Sequence, residues 1–574
     1  MMSRSSLLLW MLFILSWASS VAAADKPADL IVTNARVYTV DSNHPWAEAV
    51  AIRDGKIAAV GTSAEVQKLK SESTRVMDAH RRLVLPAFTD CHVHFMDGAL
   101  SLQRVNVEDA KDIVEIQRQV KQFADAHPND AWILGRGWNY AQFPTGLPDK
   151  KYLDAIVPDR PVLLEGYDGH TYWANSKALA LAHIDRNTPD PPNGAIVHDS
   201  NGEPTGALKE SASHLVDRFA PQVTRDQRIA ALKDAIREAN RLGLSRIHSA
   251  GGDFQYLDLY DEIRRSGDLT LRFYIAYFLN PPELTQDAIN KIESARKQYA
   301  DDWISGGAVK TMLDGVVESH TAAMIAPYAD DPKLAGKLFW DPEKYNAAVA
   351  ELDHRGIQVF THAIGDRAVH VALDGYANAQ KNNHTSDARH RVEHIETQLA
   401  TDIPRFGSEG VIASMQPLHA YPDDDTLKAW APAAGADRAS RGFPWQSIAK
   451  THGILAFGSD WPVVTLNPWY GIQNAVTRET VEGTPAGGWL PEQRISLEQA
   501  IRAYTLDAAY AGHREKSEGS LAPGKLADLI ILNQNLFTTD PRKYRETEVL
   551  VTVVGGKVVY QSPNWANRTQ QGAK

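Results

Sequence analysis

Eight short apolar runs alternate with polar or helix-patterned stretches through the middle of this 574-residue chain. They cover residues 83–95, 243–251, 270–279, 307–315, 357–365, 389–396, 410–417 and 453–462. Residues 225–242 carry the clearest helical pattern, with Ile229, Leu232, Ile236 and Ala239 on one face. Strands joined by helical crossovers return the chain to the same end each time, so they build a parallel sheet. Eight such units predict an α/β fold, a (β/α)8 TIM barrel. An open doubly wound sheet is the alternative, and periodicity does not separate the two.

Both chain ends are β-rich. Residues 29–40 and 49–60 read as strands, with Asp54-Gly55 as a hairpin turn. Residues 527–533 and 549–560 match them at the other end, turning at Gly555-Gly556. Segments 25–82 and 515–574 are therefore expected to form one small composite β-sandwich. The stretch from 95 to 243 is far longer than one crossover. It holds strand-like residues 131–138, 161–167 and 194–198, and a turn at Asn201-Gly202. Residues 101–222 read as an insertion over the barrel mouth, leaving 83–100 and 223–514 for the barrel.

The N-terminus has the layout of a secretory signal. Arg4 precedes an apolar run from Leu7 to Trp17, and small residues follow up to Ala24. Cleavage near residue 24 and a secreted or periplasmic protein are expected. A retained anchor is the alternative, but the run is short for a span of ~20 residues. Cys91 is the only cysteine, so no intramolecular disulfide can form. The net charge of -11 argues against nucleic acid and anionic membranes as partners. Self-association is left open.

Asp90-Cys91-His92-Val93-His94 ends the first apolar run. Residues i and i+2 of a strand share a face, so His92 and His94 point together and form half of a metal site. Lys310, His362, His394 and Asp460 stand near the ends of the fourth, fifth, sixth and eighth candidate strands. The C-terminal ends of barrel strands carry the active site, so all six converge on one mouth. Neither a Walker-type phosphate loop nor a GxSxG nucleophile elbow is present. Cys91 faces away from both histidines.

These motifs resemble the amidohydrolase superfamily, and within it the amidohydrolase 3 group that includes N-substituted formamide deformylases. The HxH pair, Gly458-Ser459-Asp460 and the run from Gly519 to Asp528 match the superfamily. Asp314-Gly315 with Thr321-Ala322, and Gly169-His170 with Asn175-Ser176-Lys177-Ala178-Leu179, are similar to the narrower group. His320 stands where many of those relatives carry arginine. The resemblance implies two divalent metals, with zinc expected. His92, His94 and Asp460 would hold one, His362 and His394 the other, and a carboxylated Lys310 would bridge them. An ammonium has no lone pair and repels a dication, whereas a carbamate offers two anionic oxygens. An unmodified Lys310 beside a single metal is the alternative.

The implied reaction is hydrolysis of a non-peptide, amide-like C–N bond: N-acyl, N-formyl or cyclic amide. A metal-activated hydroxide attacks the carbonyl, and Asp460 shuttles a proton from water to the leaving nitrogen. The small-molecule substrate would meet His419, the preferred oxyanion contact, with His170, Trp138 and His320 as further substrate candidates. An esterase or lactonase at the same centre is the rival chemistry. A catalytically silent binding protein on this scaffold is the rival class, disfavoured because all six positions are filled.

Overall fold

The computed structural model describes residues 26–108 and 110–566; the candidate signal segment 1–24 lies outside them. The barrel strands, numbered in chain order, are β1 (Phe88–Val93), β2 (Leu244–Ser249), β3 (Arg272–Phe278), β4 (Ile304–Met312), β5 (Val359–Ala363), β6 (Arg391–His394), β7 (Ile412–Met415) and β8 (Leu455–Phe457). Each pairs in parallel with its sequence neighbour within one eight-stranded sheet. The sheet closes just beyond β8. Asp460 N donates to His92 O at 2.6 Å, and His94 N donates to Trp461 O at 2.8 Å. This closure selects the barrel over the open doubly wound sheet.

The crossover helices follow their sequence logic. The helix Arg225–Arg241 begins at Thr224, whose side chain accepts from Gln227 N in a capping box. Leu232, Ile236 and Ala239 are buried as the spacing predicts, while Ile229 is only partly covered. Residues 83–95 hold two strands instead of one. Leu83–Pro86 pairs with Arg36–Tyr38 and Leu529–Leu532, outside the barrel. The chain changes neighbours at Ala87, whose N–H donates to Asp528 O, while Phe88 N donates to Gly243 O. Pro86 has no N–H of its own to continue a ladder.

The two chain ends build two sheets. One contains Lys56–Gly61, Ala49–Arg53, Leu30–Thr33 and Arg75–Asp78; the other contains Lys557–Gln561, Val549–Val554, Leu529–Leu532, Leu83–Pro86, Arg36–Tyr38 and Trp46–Ala47. Val32, Val50, Ile52, Val84, Ile531 and Val551 form a common core between them. The inserted module has its own six-stranded sheet, ordered Gly194–His198, Pro204–Glu210, Thr171–Ala174, Val162–Gly166, Ile133–Trp138 and Val105–Asn106. Gly202, at φ 79°, lies between the first two, as the Asn-Gly dipeptide predicts. The helix Ile113–Ala126 packs on this sheet through Ile116 and Val120. Among the described residues no helix is long and apolar enough to cross a membrane.

Two buried arginines tie the barrel to the C-terminal segment. Arg246 makes paired bonds to Glu518, both at 2.6 Å, and Arg272 pairs with Asp528 at 2.8 and 3.0 Å. Both guanidiniums are essentially inaccessible. Removing one partner of such a pair leaves an uncompensated charge, a cost of about 3–5 kcal/mol. Asp528→Ala is therefore expected to lower the denaturation midpoint sharply. The double change Arg272→Met with Asp528→Leu should lose much less. Equal losses would show that the pair's charges are not what matters there.

Candidate metal centre

The turn after β8 is built against β1. The Asp90 carboxylate accepts from Ser459 N at 3.0 and 3.1 Å and from His92 N at 3.1 Å. A Cβ on Gly458 would come within 2.6 Å of His92 N, so only glycine lets the two strand ends approach this closely. Asp460 takes φ 63° and His394 takes φ 75°, a left-handed backbone uncommon for non-glycine residues and concentrated at functional sites.

This packing gathers the candidate ligands. Asp460 Oδ1 lies 3.3 Å from His94 Nε2 and 3.4 Å from His92 Nε2, and Asp460 Oδ2 lies 3.8 Å from His394 Nδ1. Lys310 Nζ is 3.1 Å from His92 Nε2. The rings of His362 and His394 are 4.5 Å apart. One ligand atom from each of His92, His394 and Asp460 can be chosen so that all lie within 4.8 Å of one another.

Each imidazole is oriented by a second partner. His92 Nδ1 meets Glu393 Oε2 at 2.5 Å, and Arg391 holds Glu393 Oε1 at 2.8 Å. His394 Nδ1 meets Gln416 Oε1 at 2.9 Å, and His362 Nε2 meets Gly315 O at 3.2 Å. A ring nitrogen that donates to oxygen leaves the other nitrogen with its lone pair. That leaves Nε2 of His92 and His394 and Nδ1 of His362 to bind.

The electrostatics agree with this assignment. Burial first, and nearby positive groups second, hold His92, His362 and His394 well below the usual imidazole range, so they are neutral. For His94, burial opposes protonation, but the Asp460 carboxylate 3.3 Å away outweighs it. Burial works against the Asp460 carboxylate too, yet the surrounding imidazoles hold its pKa below the ordinary range. Burial brings the Lys310 amine down to about 8. Asp460 Oδ1 is buried without a hydrogen-bond partner. A buried carboxylate oxygen ringed by imidazole nitrogens is the donor set a divalent cation fits.

Above lies a cavity of about 630 Å³. His94, Lys310, His362, His394, His419 and Asp460 line it from the barrel, and His170 and Glu210 from the inserted module. His92 lies beneath, fully buried. His419 stacks on His394 at 5.6 Å, and its Nε2 is 3.7 Å from Asp460 Oδ2. His170 Nδ1 is 3.0 Å from Glu210, and its ring is 5.6 Å from that of His362. Burial opposes its protonation, but Glu210 raises its pKa to about 9.

Two substrate candidates are corrected. Trp138 is fully buried among Tyr140, Phe143 and Trp173 in the module core, and its Nε1 donates to Leu164 O at 3.1 Å. His320 is outside the cavity lining and pairs with Asp330 at 2.9 Å. Sequence reading passed over Glu393, Gln416 and Glu210. Glu393 could have been found, since it alternates with Arg391 on the strand that ends in His394. Gln416 and Glu210 meet their histidines only through tertiary packing.

A model of the amidohydrolase family matches residues 75–560. The chain is 34% identical to "Protein LONG AFTER FAR-RED 3" of Arabidopsis thaliana over 93% of its own length and 92% of that protein. It is 26% identical to N-substituted formamide deformylase of Arthrobacter pascens, over 93% and 98%. Among solved structures, it is similar to an uncharacterized metal-dependent hydrolase from Pyrococcus horikoshii OT3. The TM-score is 0.70 and the identity 25%, covering 89% of this chain and 99% of the other.

The Glu393–His92 contact yields a direct test. Glu393→Gln keeps the shape but removes the charge that supports His92. Loss of such a partner costs about 10–100-fold in metal affinity. Titration of metal-stripped protein with zinc should show a drop of that size, and unchanged affinity would remove Glu393 from the centre.

Proposed function

The chain belongs to the amidohydrolase family and is a hydrolase, and on that premise we propose that it cleaves a non-peptide, amide-like C–N bond at a pair of divalent cations, zinc expected. The observation that carries this reading is the unpartnered Asp460 Oδ1 between His92 and His94. His92, His94 and Asp460 would hold one ion, and His362 and His394 the other. Ions bound there would supply Lewis acidity toward the substrate carbonyl and hydroxide at neutral pH.

The residues of the chain do the remaining work. Asp460 takes the proton of the attacking water and returns it to the nitrogen, which then leaves as an amine. His419, with no hydrogen bond on Nε2, faces Asp460 from the place an oxyanion donor would occupy. Lys310, whose pKa is brought down to about 8, has a neutral amine in reach at neutral pH. That amine adds to carbon dioxide, forming a carbamate and releasing one proton. The carbamate would supply the anion shared between the two ions. Export to the periplasm or beyond, read from residues 1–24, is part of the same proposal.

The decisive experiment pairs elemental analysis with a substrate panel of amides and their matching esters. Two metals per chain and turnover of amides are expected. One tightly bound metal at full activity would overturn the paired centre, and turnover of esters alone would overturn the bond assignment.

Asp460→Asn should keep much of the metal yet lose about 10²–10⁴-fold in rate. Activity within a few-fold of the parent would show that Asp460 is not the base. Lys310→Ala should lose both metal and activity, and a short carboxylate should restore part of each. Lys310→Arg should not be rescued, because its guanidinium fills the space and stays charged.

A further inference from the structure

The cavity over the centre is strongly acidic. Ten aspartate and glutamate side chains line it, against Arg136, Lys310 and His170, whose pKa Glu210 raises to about 9. Lys310 belongs to the floor of the site. Arg136 is already engaged: it donates to Tyr167 O at 2.8 Å and to Pro462 O, and its Nε lies 4.0 Å from Glu165, one of the ten.

One wall concentrates the charge. Asp168 accepts from Tyr140 at 2.8 Å, Glu318 accepts from Tyr167 at 3.3 Å, and Asp425 accepts from Ala141 N at 3.4 Å. Among the described residues no lysine or arginine pairs with any of these carboxylates. Glu396 joins the same wall and is only 6% exposed. Its Oε2 accepts from Trp430 at 2.7 Å, and its Oε1 lies 3.6 Å from His419 Nδ1, beyond a normal hydrogen bond. Burial first, and the repulsion of neighbouring carboxylates next, raises Asp425 to about 7 and Glu318 well above its ordinary range.

A wall of this kind is incomplete without a cation. Buried carboxylates are costly unless paired, and here their donors are neutral hydroxyl, indole and amide groups. Two dications with Asp460 and a Lys310 carbamate would keep a net positive charge, but that charge would lie on the floor of the cavity, with the His419 ring between Asp460 and Glu396. Without a cation these carboxylates relieve their burial by holding protons, a neutral ligand leaves them so, and a cationic ligand instead pairs with their charged form.

We propose that the substrate is an amide whose amine portion carries a second, protonated nitrogen, seated against Glu318, Glu396 and Asp425 while its carbonyl meets the floor of the cavity. Hydrolysis adds one water across the C–N bond, releasing a carboxylate and a diamine protonated at both ends. This inference rests on the amide-hydrolase reading above and names its substrate class.

The test uses metal-loaded full-length protein and three matched N-formyl amides. N-formyl-1,4-diaminobutane is cationic at its far end, N-formylpentylamine is neutral, and 5-formamidopentanoate is anionic. N-acetyl counterparts run in parallel. The cationic amide should lead the neutral one in kcat/KM by about tenfold or more, with the anionic amide lowest, and the advantage should shrink as salt rises. Glu318→Gln and Asp425→Asn should each cut the cationic-to-neutral ratio, whereas Glu318→Asp, which keeps the charge, should retain it. Equal or better turnover of the neutral or anionic amide would overturn the inference while leaving amide hydrolysis intact. Failure of all six amides, with matching esters cleaved, would instead overturn the amide reading beneath it.

Discussion

Everything at the mouth of this barrel depends on how its sheet closes. Strand β1 and the turn after β8 are separated by more than 360 residues, yet the Asp90 carboxylate binds the backbone of both His92 and Ser459. That carboxylate acts as a fixed spacer between the two strand ends. Gly458 makes the approach sterically possible. The result places Asp460 between two histidines from the other end of the barrel. A small shift in this closure would separate the carboxylate from the imidazoles. Metal ligands need placement to a few tenths of an ångström, so the backbone bonds are as much part of the centre as the side chains.

Burial then sets the chemistry of the groups gathered there. Removing water favours the neutral forms of His92, His362, His394 and Lys310. Neutral imidazoles and a neutral amine are the forms that can donate a lone pair. Burial works against the Asp460 carboxylate, but its interactions with His92, His94 and His419 outweigh burial and keep it ionised. Beneath the site, Glu393 connects His92 to Arg391, whose guanidinium lies over the Phe360 ring at 3.5 Å and donates to Cys91 O. The metal site therefore rests on a buried polar network inside the barrel, which limits how far its ligands can drift.

The inserted module changes what the barrel mouth can recognise. Its sheet brings His170, Glu210 and Asp168 over the strand ends, while its aromatic core stays dry and separate. Tyr167 reaches across to Glu318 in the loop after β4, so module and barrel share one cavity wall. A barrel alone would offer an open bowl. With the module in place the same strand ends face a half-covered, acidic chamber, where charge on a ligand counts for more than it would in open water.

The alternation of apolar runs and helical stretches already determined eight parallel strands. The i, i+2 geometry of a strand already aligned His92 with His94. Local residues carry such information because strand pleat and helix period act over a few positions. Lys310, His362, His394 and Asp460 were legible for the same reason, as polar residues near strand ends. The division of residues 83–95 into two strands was not legible, because both halves are equally apolar and only their partners differ. Trp138 read as a substrate candidate because an aromatic in an insertion looks the same whether it faces a ligand or a core. Gln416 and Glu210 acquired their roles only when distant segments met. Sequence therefore named the polar groups that the fold gathers at one barrel mouth. Tertiary structure decided which nitrogen of each ring is free, which carboxylates face the cavity and how acidic that cavity is, because hydrogen bonding and burial depend on neighbours that the chain brings together only by folding.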